Sequence, residues 1–72
     1  MIKLGVYKHY KKGDEYLVTG VAEHENTQEH LVIYKALYGD RVLYARPLNQ
    51  FIEIVEINGQ TKPRFEWVRE ME

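Results

Sequence analysis

Apolar and polar residues alternate in short runs along most of this chain, and nowhere does a helical spacing of apolar positions persist, so the pattern predicts strands joined by tight turns. The central stretch from Leu31 to Phe51, LVIYKALYGDRVLYARPLNQF, sets two runs rich in Val, Ile, Leu and Tyr on either side of Gly39-Asp40 and reads as a β-hairpin. Its loop length decides which side chains share a face. A two-residue loop opposes Leu37 to Val42, Lys35 to Tyr44 and Ile33 to Arg46, which mixes charge into the apolar face. A three-residue loop, Gly39 to Arg41, opposes Leu37 to Leu43 and Lys35 to Ala45. The odd loop is preferred, because Leu31, Ile33, Leu37, Leu43 and Ala45 then form a nearly clean core face. Tyr34, Ala36, Tyr38, Val42, Tyr44 and Arg46 gather on the opposite, outward face. Only Lys35 interrupts the core face, and its stem can snorkel.

The same reading places a strand from Leu4 to Tyr10, with Gly5 at a bulge or close backbone approach, then a turn at Lys11-Lys12-Gly13-Asp14. A second strand runs from Glu15 to about His24, bent or bulged at Gly20. Glu23 to His30, EHENTQEH, lacks an apolar stripe and is expected to be an exposed, mobile loop. Pro47 removes a ladder donor and fixes φ, so a single helical turn is expected over residues 47–51. A strand then leads to Asn58-Gly59, which tolerate the two positive φ values of a type I′ turn. Counting back from that turn opposes Ile57 to Gln60, Glu56 to Thr61, Ile54 to Pro63, Glu53 to Arg64 and Ile52 to Phe65. Ile52, Ile54, Pro63 and Phe65 then share an apolar face, with Glu53 and Arg64 paired on the other. The tail from Trp67 to Glu72 is left as a helical turn or a frayed end. The fold expected is all-β: one small domain over residues 1–72, an SH3-like barrel or roll of five to six short antiparallel strands.

Composition narrows the function classes. A chain of 72 residues buries only about 60% of the surface its unfolded form exposes, so its stability is modest. It has no cysteine, hence neither disulfides nor a thiolate zinc site. No apolar run reaches the roughly 18 residues that cross a bilayer, and Met1 to Gly5 is too short and polar for a secretory signal. The chain is expected to be soluble and cytoplasmic, with no membrane partner. Ten Lys and Arg stand against eleven Asp and Glu, and the net charge of −1 gives no bulk attraction to phosphate polymers. The charge is unevenly spread: Lys3, Lys8, His9, Lys11 and Lys12 make the amino end basic, and Glu66, Glu70 and Glu72 make the carboxyl end acidic. A solvated surface accounts for such a split without any partner.

Several pieces in order, Gly5-x-Tyr7-x-His9-Tyr10-Lys11, Tyr16-x-Val18, Val21-Ala22-x-His24, Val32-x-Tyr34-x-Ala36-Leu37-Tyr38-Gly39-Asp40, Arg46-Pro47-Leu48-x-x-Phe51 and Pro63-Arg64-Phe65, resemble the bacterial domain-of-unknown-function family sixteen-fifty-three. The resemblance spans roughly Gly5 to Phe65. It departs from the family pattern by an extra Lys before Gly13 and by Tyr44 where the family usually has Trp. It implies a small one-domain bacterial protein and brings no activity, substrate or cofactor.

Three kinds of chemistry are open to these residues. Tyr7, His9, Tyr34, Tyr44, Arg46 and Arg64, joined by Glu53, make a polar aromatic set in which Tyr offers stacking faces and Arg a planar fork for phosphate or carboxylate. Such a set suits a binding module for nucleic acid or an anionic small ligand, although tyrosines on sheets also complete packing, and Arg64 also satisfies Glu53. The alternative is a protein-interaction or homodimerisation module, since unpaired edge strands in so small a sheet favour a second copy. A metal at His24 and His30 with Glu23, Glu25 and Glu29 lacks ligands on a rigid element, so no metal or other cofactor is expected. Catalysis by His9 as base, Glu53 as its partner and Arg46 or Arg64 as charge stabiliser lacks a nucleophile, because the chain has neither Ser nor Cys.

Overall fold

The strands form where β-branched and aromatic residues alternate, and they end where glycine, proline or clustered polar residues break the ladder. The structure, a computed structural model, describes residues 2–71; Met1 and Glu72, the last residue of the expected tail, lie outside the described residues. In chain order the elements are β1 (Gly5–His9), β2 (Glu15–Glu23), β3 (His30–Ala36), β4 (Leu43–Pro47), α1 (Leu48–Phe51), β5 (Ile54–Ile57), β6 (Gln60–Pro63) and β7 (Phe65–Arg69). Five strands pair in the order β4-β3-β2-β1-β7, and β5 and β6 form a separate hairpin; every pairing is antiparallel. The expected all-β fold is therefore present with its helical turn, but with seven strands among the described residues rather than five to six. The additional strand is β7, where a helical turn or frayed end was expected. Tyr7 pairs with Trp67 and His9 with Phe65, so the tail docks on β1.

The five-stranded sheet is rolled and not closed. A flat sheet would hold its edge strands β4 and β7 about 19 Å apart, four spacings of about 4.8 Å. Instead the Arg46 guanidinium carbon on β4 stands 5.7 Å from the ring centroid of Phe65 on β7. Bulges between Val18 and Gly20 and between Val6 and Tyr7 supply curvature, as such bulges do in strongly coiled sheets. At Gly5 the backbone takes φ +140°, and a Cβ there would lie 2.6 Å from the carbonyl oxygen of Arg69, so only glycine lets β1 approach β7 this closely.

Phe51, carried in by α1, fills the concave side. It is 1% exposed and stacks on Phe65 with centroids 4.3 Å apart, and it meets Tyr7 and Tyr34 edge to face at 5.3 and 5.4 Å. Val18 and Val32 complete this core.

The central hairpin shows one expectation kept and one reversed. Lys35 pairs with Leu43, Tyr34 with Tyr44 and Val32 with Arg46, and the Ala36 amide donates to the Val42 carbonyl at 2.9 Å. The loop thus holds an odd number of residues, and the two faces have the expected membership, but the register is shifted by two residues. Inside and outside are exchanged. Val32, Tyr34 and Ala36 are buried, whereas Leu43 is 61% exposed. Rings outweigh aliphatic branches here because Phe51 and Phe65, from outside the hairpin, offer them aromatic partners.

In the last hairpin Asn58 and Gly59 have φ of 52° and 80°, and Ile54 pairs with Pro63 and Ile57 with Gln60, all as expected. The supposed apolar face does not seal. Ile52 and Ile54 are exposed at 53% and 61%, and Phe65 has left the hairpin at the Arg64 bend to become the start of β7. The segment between β2 and β3, expected as a mobile loop, closes as a hydrogen-bonded turn in which His24 Nδ1 accepts from the Asn26 and Thr27 amides at 3.2 and 3.4 Å.

Candidate functional site

The roll brings side chains from five strands to one opening. His9 from β1, Tyr16 from β2, Tyr34 from β3, Tyr44 and Arg46 from β4 and Phe65 from β7 line a cavity of about 260 Å³. Tyr34 is buried on its floor, and Tyr44, 41% exposed, forms the rim. The rings of Tyr34 and Tyr44 lie 5.6 Å apart, those of Tyr16 and Tyr34 5.4 Å. A roomier hollow of about 570 Å³ between Leu4, Leu17 and Met71 has no comparable convergence of donors.

Arg46 is held rather than neutralised. Its Nε donates to the Tyr34 hydroxyl at 3.3 Å, and no carboxylate pairs with it among the described residues. The two terminal nitrogens keep their donors, in the fork geometry that matches phosphate or carboxylate.

His9 is half-buried, its ring edge-on to Phe65 at 5.0 Å and stacked on Tyr10 at 4.8 Å. Its Nδ1 accepts the Lys11 amide at 3.2 Å, so the neutral ring carries its proton on Nε2. Burial first, then the positive charges of Arg64, Arg46 and Lys11, lower its pKa below the ordinary imidazole value. At neutral pH the group is an uncharged N–H donor in a positive field. Tyr16 is pushed the other way, its pKa raised by burial and by the 2.9 Å hydrogen bond to the Tyr38 hydroxyl.

The structure gathers four of the seven residues singled out in the sequence, His9, Tyr34, Tyr44 and Arg46, and sets the others apart. Tyr7 is core: its hydroxyl donates to the Lys3 carbonyl at 2.8 Å, and burial raises its pKa. Glu53 is exposed and accepts from Arg64 Nη2 at 2.8 Å, so it serves the base of the last hairpin rather than His9. Arg64 does not line the cavity, although its charge acts on His9, and its buried Nε finds no acceptor among the described residues. Tyr16 and Phe65 were missed. Tyr16 is recoverable from the first turn, since counting out from Lys11–Asp14 opposes it to His9, on the same face of β1 as Tyr7, with which it pairs in the structure. Phe65 carries no such local signal.

The family model for a protein of unknown function, DUF1653, matches residues 5–69. The chain belongs to the DUF1653 family. Among solved structures, a crystal structure of a DUF1653 protein from Bordetella bronchiseptica is similar to it, with a TM-score of 0.86 at 36% identity, covering 99% of this chain and 92% of that one. No curated protein of known function matches. This DUF1653 chain has no helix among the described residues long and apolar enough to cross a membrane.

Proposed function

We propose that this DUF1653 protein is a non-enzymatic binding module that holds an anionic group in the cavity between His9, Tyr44 and Arg46. The observation that carries this reading is the Arg46 guanidinium, fixed at Nε by Tyr34 and, among the described residues, left without a carboxylate in a ring-lined hollow. The positive field on His9 supports the same sign of ligand, and an anion would relieve it. Titration with a nucleoside monophosphate, followed by heat release or chemical shift, tests it. Arg46→Ala is expected to weaken binding about 10- to 100-fold, the range of lost charge-assisted hydrogen bonds. Arg46→Lys, which keeps charge but not the fork, is expected to recover only part of it. Unchanged affinity in a folded Arg46→Ala protein removes this cavity as the site.

A second reading rests on a separate observation. Strand β4 is an open edge whose Leu43 and Tyr44 are 61% and 41% exposed, a surface on which a second copy of the chain would pair strand to strand. Sedimentation over a range of concentration tests it. Leu43→Lys is expected to hold the protein monomeric if this edge is the interface, and a wild-type protein monomeric at high concentration excludes it.

A further inference from the structure

Resting on the anion-binding reading above, we infer that the ligand is a single-stranded nucleic acid, bound along three adjoining hollows of which the Arg46 cavity is only the middle one. The middle cavity shares His9 and Tyr16 with a hollow of about 220 Å³ that carries Lys11 and Lys12. On the far side of the imidazole, Tyr10 stacks on His9 and lines a third hollow of about 430 Å³, in which Lys8 of β1 faces Thr61 and Lys62 of β6. The third hollow shares no lining residue with the other two and lies on the face of β1 to which Lys8 points, so the His9–Tyr10 stack is where the path of a strand would pass from one to the other.

Charge is sorted along that path. The chain has ten Lys and Arg against eleven Asp and Glu. The three hollows are lined by five of those cations, Lys8, Lys11, Lys12, Arg46 and Lys62, and by only two of the acids, Asp14 and Glu66. A protein of net negative charge has collected half its cations on one track and interleaved them with rings. Cations that follow a phosphate backbone, with aromatic faces for the bases between them, are the means by which proteins hold unpaired strands.

Other anions use less of this surface. A mononucleotide in the Arg46 cavity leaves Lys8 and Lys62 without a role, on the other side of the His9–Tyr10 stack. A duplex keeps its base faces stacked internally, and the four-residue α1, its Phe51 buried in the core, is no reading element for a major groove.

Fluorescence anisotropy in about 50 mM salt, with thymidine monophosphate, a ten-nucleotide thymidine oligomer, the matching uridine oligomer, a duplex of the same length and a polyglutamate peptide, decides the matter. Either single-stranded oligomer is expected to bind at least tenfold more tightly than the monophosphate, the duplex and the peptide. Lys8→Gln combined with Lys62→Gln, both at exposed positions, is expected to weaken the oligomer at least fivefold and leave the monophosphate unchanged. The same double variant should flatten the slope of log affinity against log salt by about 1.4, two phosphate contacts at about 0.7 each. An oligomer no tighter than the monophosphate, a duplex or polyglutamate bound as well as the single strand, or a double variant indistinguishable from wild type overturns the inference. If monophosphate binding is still lost in Arg46→Ala under any of those outcomes, the small-anion reading survives it. If neither monophosphate nor oligomer binds, both fall together.

Discussion

The rolled sheet and the β5–β6 hairpin are built from the same materials, antiparallel strands, a tight turn and β-branched residues, yet their burial is opposite. The sheet encloses Tyr7, Tyr34, Phe51 and Phe65, while in the hairpin every residue but Val55 is exposed. What separates them is the origin of the partners. The sheet's rings meet Phe51 and Phe65 from distant parts of the chain, whereas the hairpin pairs only with itself at positions set by its own turn. Local signals fix pairing, and contacts between remote residues fix burial.

Truncation breaks or sharpens this contrast most directly. Phe51→Ala is expected to cost about 3–5 kcal/mol in urea unfolding, the range for emptying an aromatic core site. Ile54→Ala, an equally drastic cut on paper, is expected to cost under about 0.5 kcal/mol because its side chain is already in water. Similar losses at the two sites would erase the distinction. Next in size is Gly5→Ala. The added methyl meets the Arg69 carbonyl at a φ that L-residues avoid, and a loss of at least about 2 kcal/mol is expected, read from the shift of the unfolding midpoint.

Smaller effects belong to the hairpin. Asn58→Ala puts a side chain without a local hydrogen-bonding group at φ 52°, which Asn tolerates better, and is expected to cost about 1–2 kcal/mol locally. Amide exchange should then quicken over residues 54–63 while β1 and β2 keep their protection. Glu53→Gln removes the partner of Arg64 at the hairpin base, an ion pair half in solvent, and is expected to cost about 0.5 kcal/mol, less at high salt. The mildest handle is pH. Because the His9 pKa lies below its ordinary 6.5 in the fold, the unfolded chain takes up that proton first. Stability from this group is complete above pH 6.5 and declines as pH falls below it, and His9→Gln should flatten the decline.

The sequence-readable part of the molecule follows the same division. The Asn58-Gly59 turn dictates two φ values and with them the register through Ile54 and Pro63, so the last hairpin is legible without knowing anything remote. The glycine at the bulge in β2 and the helical turn after Pro47 were legible for the same reason. The central hairpin was half legible. Parity placed Tyr34, Tyr44 and Arg46 together, but which face points inward depends on Phe51 and Phe65, which no count along the hairpin can bring near. Tyrosine sharpens the difficulty, since one ring can floor a cavity, as Tyr34 does, or rim it, as Tyr44 does. Hence the set read as an outward shelf is the lining of the concave side, and Tyr7 is consumed by the core.

One consequence lies in how the roll is completed. Between β4 and β7 no amide–carbonyl ladder runs; the gap is spanned by Arg46 lying over Phe65. A guest wedged there parts a guanidinium from a ring and leaves the main-chain bonds of both strands intact. The seam of this sheet is therefore the one line in it that side chains alone hold shut, among the described residues, so its closure rests on two residues rather than on a run of backbone.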